Sequence, residues 1–254
     1  MIEGFGRSDV GRRRKLNEDS YVVAADLGLF AVCDGMGGHN AGEVASGMAV
    51  ETLSAFIRES HAIEFERISW AFGVDASLSR DGNRIRTAIK LANERVFNAA
   101  NARAECAGMG TTVVVALVKD QLLTVGWAGD SRCYVLRDGQ LTQLTRDDSW
   151  VSAAASEGIL SVEEIERHPL RNIITKAVGA RDSIDVDIVE EPLRPGDRVV
   201  LCTDGLHSMI GAPEILDCLN QSGNDIVQAV ERLIAAANEA GGKDNVSVVV
   251  LRCE

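Results

Sequence analysis

Aspartate stands at or beside the end of four apolar runs in this chain. Leu29-Phe30-Ala31-Val32-Cys33 runs into Asp34-Gly35, and Arg198-Val199-Val200-Leu201-Cys202 runs through Thr203 into Asp204-Gly205. Leu122-Leu123-Thr124-Val125-Gly126-Trp127 leads through Ala128-Gly129 to Asp130-Ser131-Arg132, and Asp244-Asn245 directly precedes Val246-Ser247-Val248-Val249-Val250. Taken alone, an Asp-Gly pair is explained as a turn, because Asp bonds to nearby backbone and Gly accepts positive φ. Gathered at adjacent strand ends, however, such carboxylates repel one another and need a cation. Carboxylate ligands favour Mg²⁺ or Mn²⁺ over Zn²⁺. Two such ions roughly 3.5–4 Å apart can share an activated water and clamp a phosphate for in-line attack. That is the design of a hydrolase.

Strands must position these residues. Runs rich in Val, Leu and Ile at 21–25, 29–33, 111–118, 122–127, 132–136, 198–202 and 246–251 read as strands. Lys119-Asp120-Gln121 and Asp138-Gly139 separate successive runs, and Asp-Gly is a strong hairpin signal, so the sheet is antiparallel. Helical spacing appears over 41–58, over 84–105 (Ile85, Ile89, Ala92, Val96) and through Ile226, Val230, Leu233, Ile234 and Ala237. Ser161 with Glu164 forms a capping box for a short helix, and Pro213 suits the start of another. Strand and helix do not alternate regularly, which argues against a doubly wound parallel sheet and for antiparallel sheets covered by helices.

The bulk composition narrows the partners. The 254 residues carry 26 Lys plus Arg against 38 Asp plus Glu, a formal charge of −12, which argues against a nucleic-acid partner. Hydrophobic residues at 46% and charged residues at 25% are ordinary for a soluble globular protein, and no stretch reads as a linker, so one domain is expected. No signal-peptide pattern opens the chain and no apolar run is long enough for a membrane helix. Cys33, Cys106, Cys133, Cys202, Cys218 and Cys253 form no Cys-x-x-Cys pair and suit buried thiols in a reducing, cytoplasmic compartment.

The ordered motifs resemble those of the metal-dependent protein phosphatases, the PPM or phosphatase-2C family. They are Ser8-Asp9-Val10-Gly11 with Arg14-Lys15-Leu16-Asn17-Glu18-Asp19, Asp34-Gly35-Met36-Gly37-Gly38, Gly110-Thr111-Thr112 and Ala128-Gly129-Asp130-Ser131-Arg132. His168-Pro169 with Arg171-Asn172, Thr203-Asp204-Gly205 and Asp244-Asn245 complete the series, which spans 7 to about 252. The resemblance implies an α+β fold, a central sandwich of two antiparallel β-sheets flanked by α-helices, occupying 1–254 as one domain with a flap-like insert at about 146–180. It implies a bacterial-type Ser/Thr phosphatase that hydrolyses phosphoserine and phosphothreonine in proteins with a metal-activated water.

The same resemblance assigns roles. Asp34 would bridge two Mn²⁺ or Mg²⁺ ions, with the Gly35 carbonyl on one of them and Asp204 and Asp244 completing the other's shell. Glu18 and Asp19 would hold that ion's waters. Arg14 would grip the substrate phosphate, as a planar guanidinium pairs with phosphate oxygens in a bidentate way. Asp130 would help bind a weaker third ion. Substrates would be phosphorylated proteins, a Ser/Thr kinase or its targets, met by a monomer without membrane or nucleic-acid attachment.

Departures from the family pattern matter as well. Met36 stands where animal members often carry a histidine proposed as general acid, leaving His39, three residues on, as the candidate acid. Asp148 stands where bacterial-type members tend to carry His, and Ser208 where some animal members supply a further aspartate. Competing readings are a two-metal hydrolase of another phosphoester and a catalytically silent phosphoprotein-binding relative, although every core ligand is present. A cysteine-dependent phosphatase is excluded, since no cysteine is followed six residues later by Arg.

Overall fold

The structure is a computed structural model describing residues 2–38, 41–156, 158–159, 164, 168–170 and 173–253. Two antiparallel sheets form its centre. The first contains β1 (Ile2–Asp9), β7 (Arg132–Arg137), β8 (Gln140–Gln143), β10 (Arg198–Cys202) and β11 (Val246–Cys253), in the order β1-β11-β10-β7-β8. The second contains β2 (Asp19–Ala24), β3 (Leu29–Met36), β5 (Val113–Lys119), β6 (Leu122–Ala128) and β9 (Asp187–Pro192), in the order β2-β3-β5-β6-β9. The short β4 (Gly110–Thr111) pairs with β3 beyond β5.

The central strands are covered on both faces, which is why they read as continuous apolar runs rather than alternating ones. Phe30, Val32, Val114, Ala116 and Val125 of the second sheet interleave with Cys133, Val135, Val199, Leu201 and Val249 of the first. The outer face of the second sheet is closed by α1 (Ala41–His61) and α2 (Arg80–Ala102), through Ala45, Leu53, Ile85 and Ile89. The outer face of the first is closed by the single turn α4 (Asp204–His207) with α5 (Ala212–Ser222) and α6 (Ile226–Glu239), through Leu206, Ile215, Leu219, Val230 and Leu233. A further helix, α3 (Trp150–Ser156), lies in the segment expected to be a flap. The layering is helix, sheet, sheet, helix, as the family resemblance implies.

Local chemistry fixes the turns and caps. Asp120 and Gln121 at φ 48° and 62°, and Asp138 and Gly139 at φ 50° and 77°, are left-handed pairs suited to the twist of a two-residue hairpin. The Ser79 hydroxyl caps α2 by accepting the Gly82 N–H at 2.9 Å, so this helix begins four residues before the expected Arg84. It ends at Ala102, and Ala104–Cys106 forms a separate 3₁₀ turn. The run expected at 111–118 is broken at Thr112, whose N–H turns to the Asp34 carbonyl at 2.9 Å. The helix expected from Ser161 lies outside the described residues, as do Arg171 and Asn172.

The C-terminal ends of β3, β6 and β10 and the N-terminal ends of β2 and β11 meet at one end of the sandwich. Asp19 and Asp34 are direct cross-strand partners there. Five separated sequence segments thereby deliver their carboxylates to one place.

Candidate active site

Arg14, Glu18, Asp34, Gly35, Asp130, Asp204 and Asp244 line a single cleft of about 300 Å³ at this end. Asp19 lies behind it, 8% exposed, and His39 falls outside the described residues. Backbone contacts hold the central pair rigidly. The Asp34 N–H donates to Thr112 Oγ1 at 3.1 Å, and the Asp34 carbonyl accepts Thr111 Oγ1–H and the Thr112 N–H at 2.9 Å each. The Gly35 N–H donates to the Glu18 carbonyl at 3.1 Å. Gly35 admits no side chain, because a Cβ there would collide with the Gly42 and Glu18 carbonyl oxygens. Likewise, a Cβ on Gly205 would strike the Asn245 carbonyl, so the Asp204 turn packs backbone to backbone against the Asp244 segment.

Asn245 organises the loop that carries Arg14. Its Oδ1 accepts the Glu18 N–H at 2.8 Å, while its Nδ2 donates to the carbonyls of Val10 at 3.0 Å and Leu16 at 2.8 Å. Both ends of the loop are thus fastened to the residue after Asp244. Arg14 Nη2 reaches Asp244 Oδ2 at 2.7 Å.

Burial and mutual repulsion dominate the electrostatics. Asp34 is held well above the usual carboxylate range, first by desolvation and then by the charges of Asp19, Asp204, Asp130 and Asp244. Asp204 is raised by burial and then by Asp244, although a hydrogen bond from Asp34 pulls the other way. Asp130 is raised to about 7 by burial, then by Asp204 and Asp147. Asp19 is raised by burial too, against the lowering effect of hydroxyl donors on Ser247 at 2.7 Å and Thr203 at 2.9 Å, both on Oδ2.

These residues fit divalent cations. Buried oxygens Glu18 Oε1, Asp19 Oδ1 and Asp204 Oδ1 have no hydrogen-bond donor among the described residues. Unpaired buried carboxylate oxygens are costly unless a cation meets them. Among the described residues no three such side chains converge on one point as a finished cage. Instead, the electrostatic strain is spread over the whole cleft, and Arg14 supplies a compensating charge beside Asp244. The donor set is all oxygen, which suits Mg²⁺ or Mn²⁺.

The family model for protein phosphatase 2C matches residues 9–247. The chain belongs to the protein phosphatase 2C family. Among curated relatives, the phosphatase is 34% identical over 252 residues to the serine/threonine phosphatase Stp of Listeria welshimeri, covering 96% of this chain and 93% of that one. It is 36% identical over 250 residues to the serine/threonine protein phosphatase PstP of Mycobacterium tuberculosis, covering 98% of this chain but spanning only 45% of PstP. The solved structure of the Mycobacterium tuberculosis phosphatase superposes with a TM-score of 0.84 at 34% identity, covering 100% of this chain and 99% of that one. The catalytic domain of PstP in complex with two manganese ions superposes at 0.80 with 33% identity, covering 99% and 97%. The αββα sandwich is the shared architecture.

Other residues of the phosphatase join the site without having been assigned a role from sequence. Thr112 lines the cleft, and its hydroxyl is shared with Ser131 at 2.8 Å, joining the Asp34 backbone to the loop of Asp130. His207 reaches that loop from the Asp204 turn. Its Nε2 lies 3.0 Å from the Asp130 carbonyl oxygen, and an oxygen acceptor there requires an N–H on Nε2. Burial and then Arg132 hold its pKa down, to about 3, so the ring is neutral. Ile174, in the expected flap, completes the wall. Thr112 stands in the Gly110-Thr111-Thr112 motif without a role assigned there, whereas Ile174 and His207 are ordinary in their local sequence and only their place in space gives them away.

Proposed function

We propose that Asp34, the Gly35 carbonyl, Asp204 and Asp244 hold the two metal ions of this phosphatase, Mn²⁺ or Mg²⁺, with Glu18 and Asp19 behind them. The chain is a metal-dependent serine/threonine protein phosphatase, whose substrates are phosphoproteins. The observation that carries the assignment is the convergence of raised-pKa carboxylates, with unpartnered buried oxygens, on the one cleft that also contains Arg14. When bound, the ions supply charge neutralisation on the phosphoryl group and activate water for in-line attack.

The protein's own residues then do the positioning. Arg14 turns its guanidinium from Asp244 to the phosphate oxygens and aligns the phosphoryl group in two-point contact. Asn245 keeps the Arg14 loop at a fixed distance from Asp244. Thr112 keeps Asp34 and the Asp130 loop in register. Asp130 serves a weaker third ion. A proton must reach the departing seryl or threonyl oxygen, and His39 is the candidate donor from sequence.

The enzyme acts as a monomeric single domain with a flap beside the cleft, and reverses a Ser/Thr kinase or acts on its substrates in the cytoplasm. Cys33, Cys106, Cys133 and Cys202 are buried free thiols, which supports a reducing compartment. No helix among the described residues is long and apolar enough to cross a membrane.

Turnover of a phosphothreonine peptide and of a cyclic dinucleotide, each with added Mn²⁺ and with excess chelator, tests the assignment. Manganese-dependent release of phosphate from the peptide alone supports it. Preferential cleavage of the dinucleotide would move the site to the phosphodiesterase reading.

A further inference from the structure

The segment entering the expected flap and the segment leaving it are stitched together at their base. The Trp150 N–H donates to the Ile173 carbonyl at 2.8 Å, and the Thr175 N–H to the Asp148 carbonyl at 2.7 Å. The Asp148 side chain lies at this junction and is only 9% exposed. Its Oδ1 faces Lys176 Nζ at 3.1 Å, and Lys176 also pairs with Asp187 at the start of β9. The opposite oxygen, Oδ2, accepts the Gly129 N–H at 3.0 Å, while the Asp148 N–H donates to the Gly129 carbonyl at 2.9 Å. Gly129 is the residue before Asp130, and at φ 115° it adopts a conformation that few other residues tolerate.

We propose that Asp148, oriented by Lys176, is a positioning residue that fixes the loop of Asp130 to the base of the flap. This rests on the reading of Asp130 as a metal-binding carboxylate. One carboxylate does two jobs. Lys176 holds one oxygen against the flap exit and β9, so the other stays aimed at Gly129. A nearly buried carboxylate with both oxygens occupied has little rotational freedom, so displacement at the flap base is passed directly to the backbone beside Asp130. His207 and Thr112 hold the same loop from the other sheet and from the Asp34 side. Asp148 is its tie to the flap.

Two measurements read the two halves of this proposal. The first is amide exchange at Gly129 in the metal-free protein. The second is the manganese dependence of phosphopeptide turnover. Asp148→Ala removes the acceptor, so Gly129 exchange should speed up roughly 10-fold. In the same variant kcat should fall roughly 10- to 100-fold, as expected for a misplaced catalytic group, with a raised manganese midpoint and KM within about 2-fold of wild type. The double variant Asp148→Asn with Lys176→Gln keeps an acceptor for Gly129 and replaces the ion pair with an amide pair that still orients it, leaving only the 43% exposed Asp187 without its lysine. It should restore Gly129 protection and most of the lost turnover. Asp130→Ala, assayed alongside, tests the underlying reading: if it turns over like wild type, that reading fails, while Gly129 exchange still reports the clamp. Unaltered Gly129 exchange in Asp148→Ala overturns the proposal. A double variant as slow as Asp148→Ala also overturns it, because charge rather than the Gly129 bond would then be the working feature.

Discussion

Arg14 Nη2 lies 2.7 Å from Asp244 Oδ2, so the cation proposed to grip phosphate is paired with a carboxylate proposed to hold metal. Both ends are partly open to solvent, at 49% and 31% exposed, so the pair contributes little to folding, less than about 1 kcal/mol. Its consequence is functional: the guanidinium waits within reach of the cleft. Arg14→Ala should therefore unfold with nearly the wild-type midpoint. Its kcat/KM should fall roughly 10- to 150-fold, mostly through KM, the worth of one charged bidentate contact of about 1.5–3 kcal/mol. Steady-state kinetics on a phosphopeptide checks this, and an unchanged kcat/KM would remove Arg14 from phosphate binding.

Asn245 is 4% exposed and satisfies three backbone groups at once, the Glu18 N–H and the Val10 and Leu16 carbonyls. Asn245→Ala leaves them without that partner. The expected loss is about 1–3 kcal/mol of stability, accompanied by a raised KM because the Arg14 loop loosens. Denaturant unfolding and kinetics together test both parts. A stability loss with unaltered KM would confine Asn245 to the fold.

Asp130→Ala should leave the tight metal pair bound and sharply lower turnover, with partial rescue at high Mn²⁺. In the proposed third site Ser208 would offer a hydroxyl rather than a carboxylate to a hard cation, so any ion there should bind weakly. Calorimetry separates the outcomes. Loss of a tight ion would put Asp130 in the main pair, and unaltered turnover would leave it structural.

The metal-free protein should also respond to pH in an unusual direction. Asp130 has a folded-state pKa of about 7, above its ordinary value of 3.8, so the folded state binds more protons between those values than the unfolded chain does. Stability contributed by this protonation is present below about 4 and is lost as pH rises through about 7. Asp34 and Asp204 are shifted in the same direction. The thermal midpoint of chelated protein should fall from pH 4 to pH 7, and Asp130→Asn should flatten that slope. An equal slope in both proteins would contradict the burial of this carboxylate.

The strands that carry the site were legible because they are covered on both faces: Leu29, Phe30, Ala31, Val32 and Cys33 are all at 0% exposure and read as one apolar run. Their aspartates stood out as the polar residues that end such runs. β1 was not legible. Its Gly4 and Gly6 lower strand propensity, yet the space above them is filled by the rings of Phe30 and Tyr21, a tertiary fact invisible locally. β9, Asp-Ile-Val-Glu-Glu-Pro, pairs only with β6 and carries the charges and proline of an edge strand, so it lacks an apolar run. In the same way, Thr112, His207 and Asp148 act through backbone groups far away in sequence. Spacing holds no trace of such contacts.

The central claim is that Asp34 anchors the metal ions on which phosphate release depends. Manganese calorimetry on wild type and Asp34→Asn, paired with their thermal midpoints in excess chelator, tests it most directly. Wild type should bind two ions tightly and gain thermal stability from them. Asp34→Asn should lose tight binding and phosphopeptide turnover together, while its chelated form melts at or above the wild-type midpoint, because one member of a repelling buried cluster has been neutralised. Undiminished manganese binding by Asp34→Asn, or full wild-type turnover in excess chelator, would contradict the account.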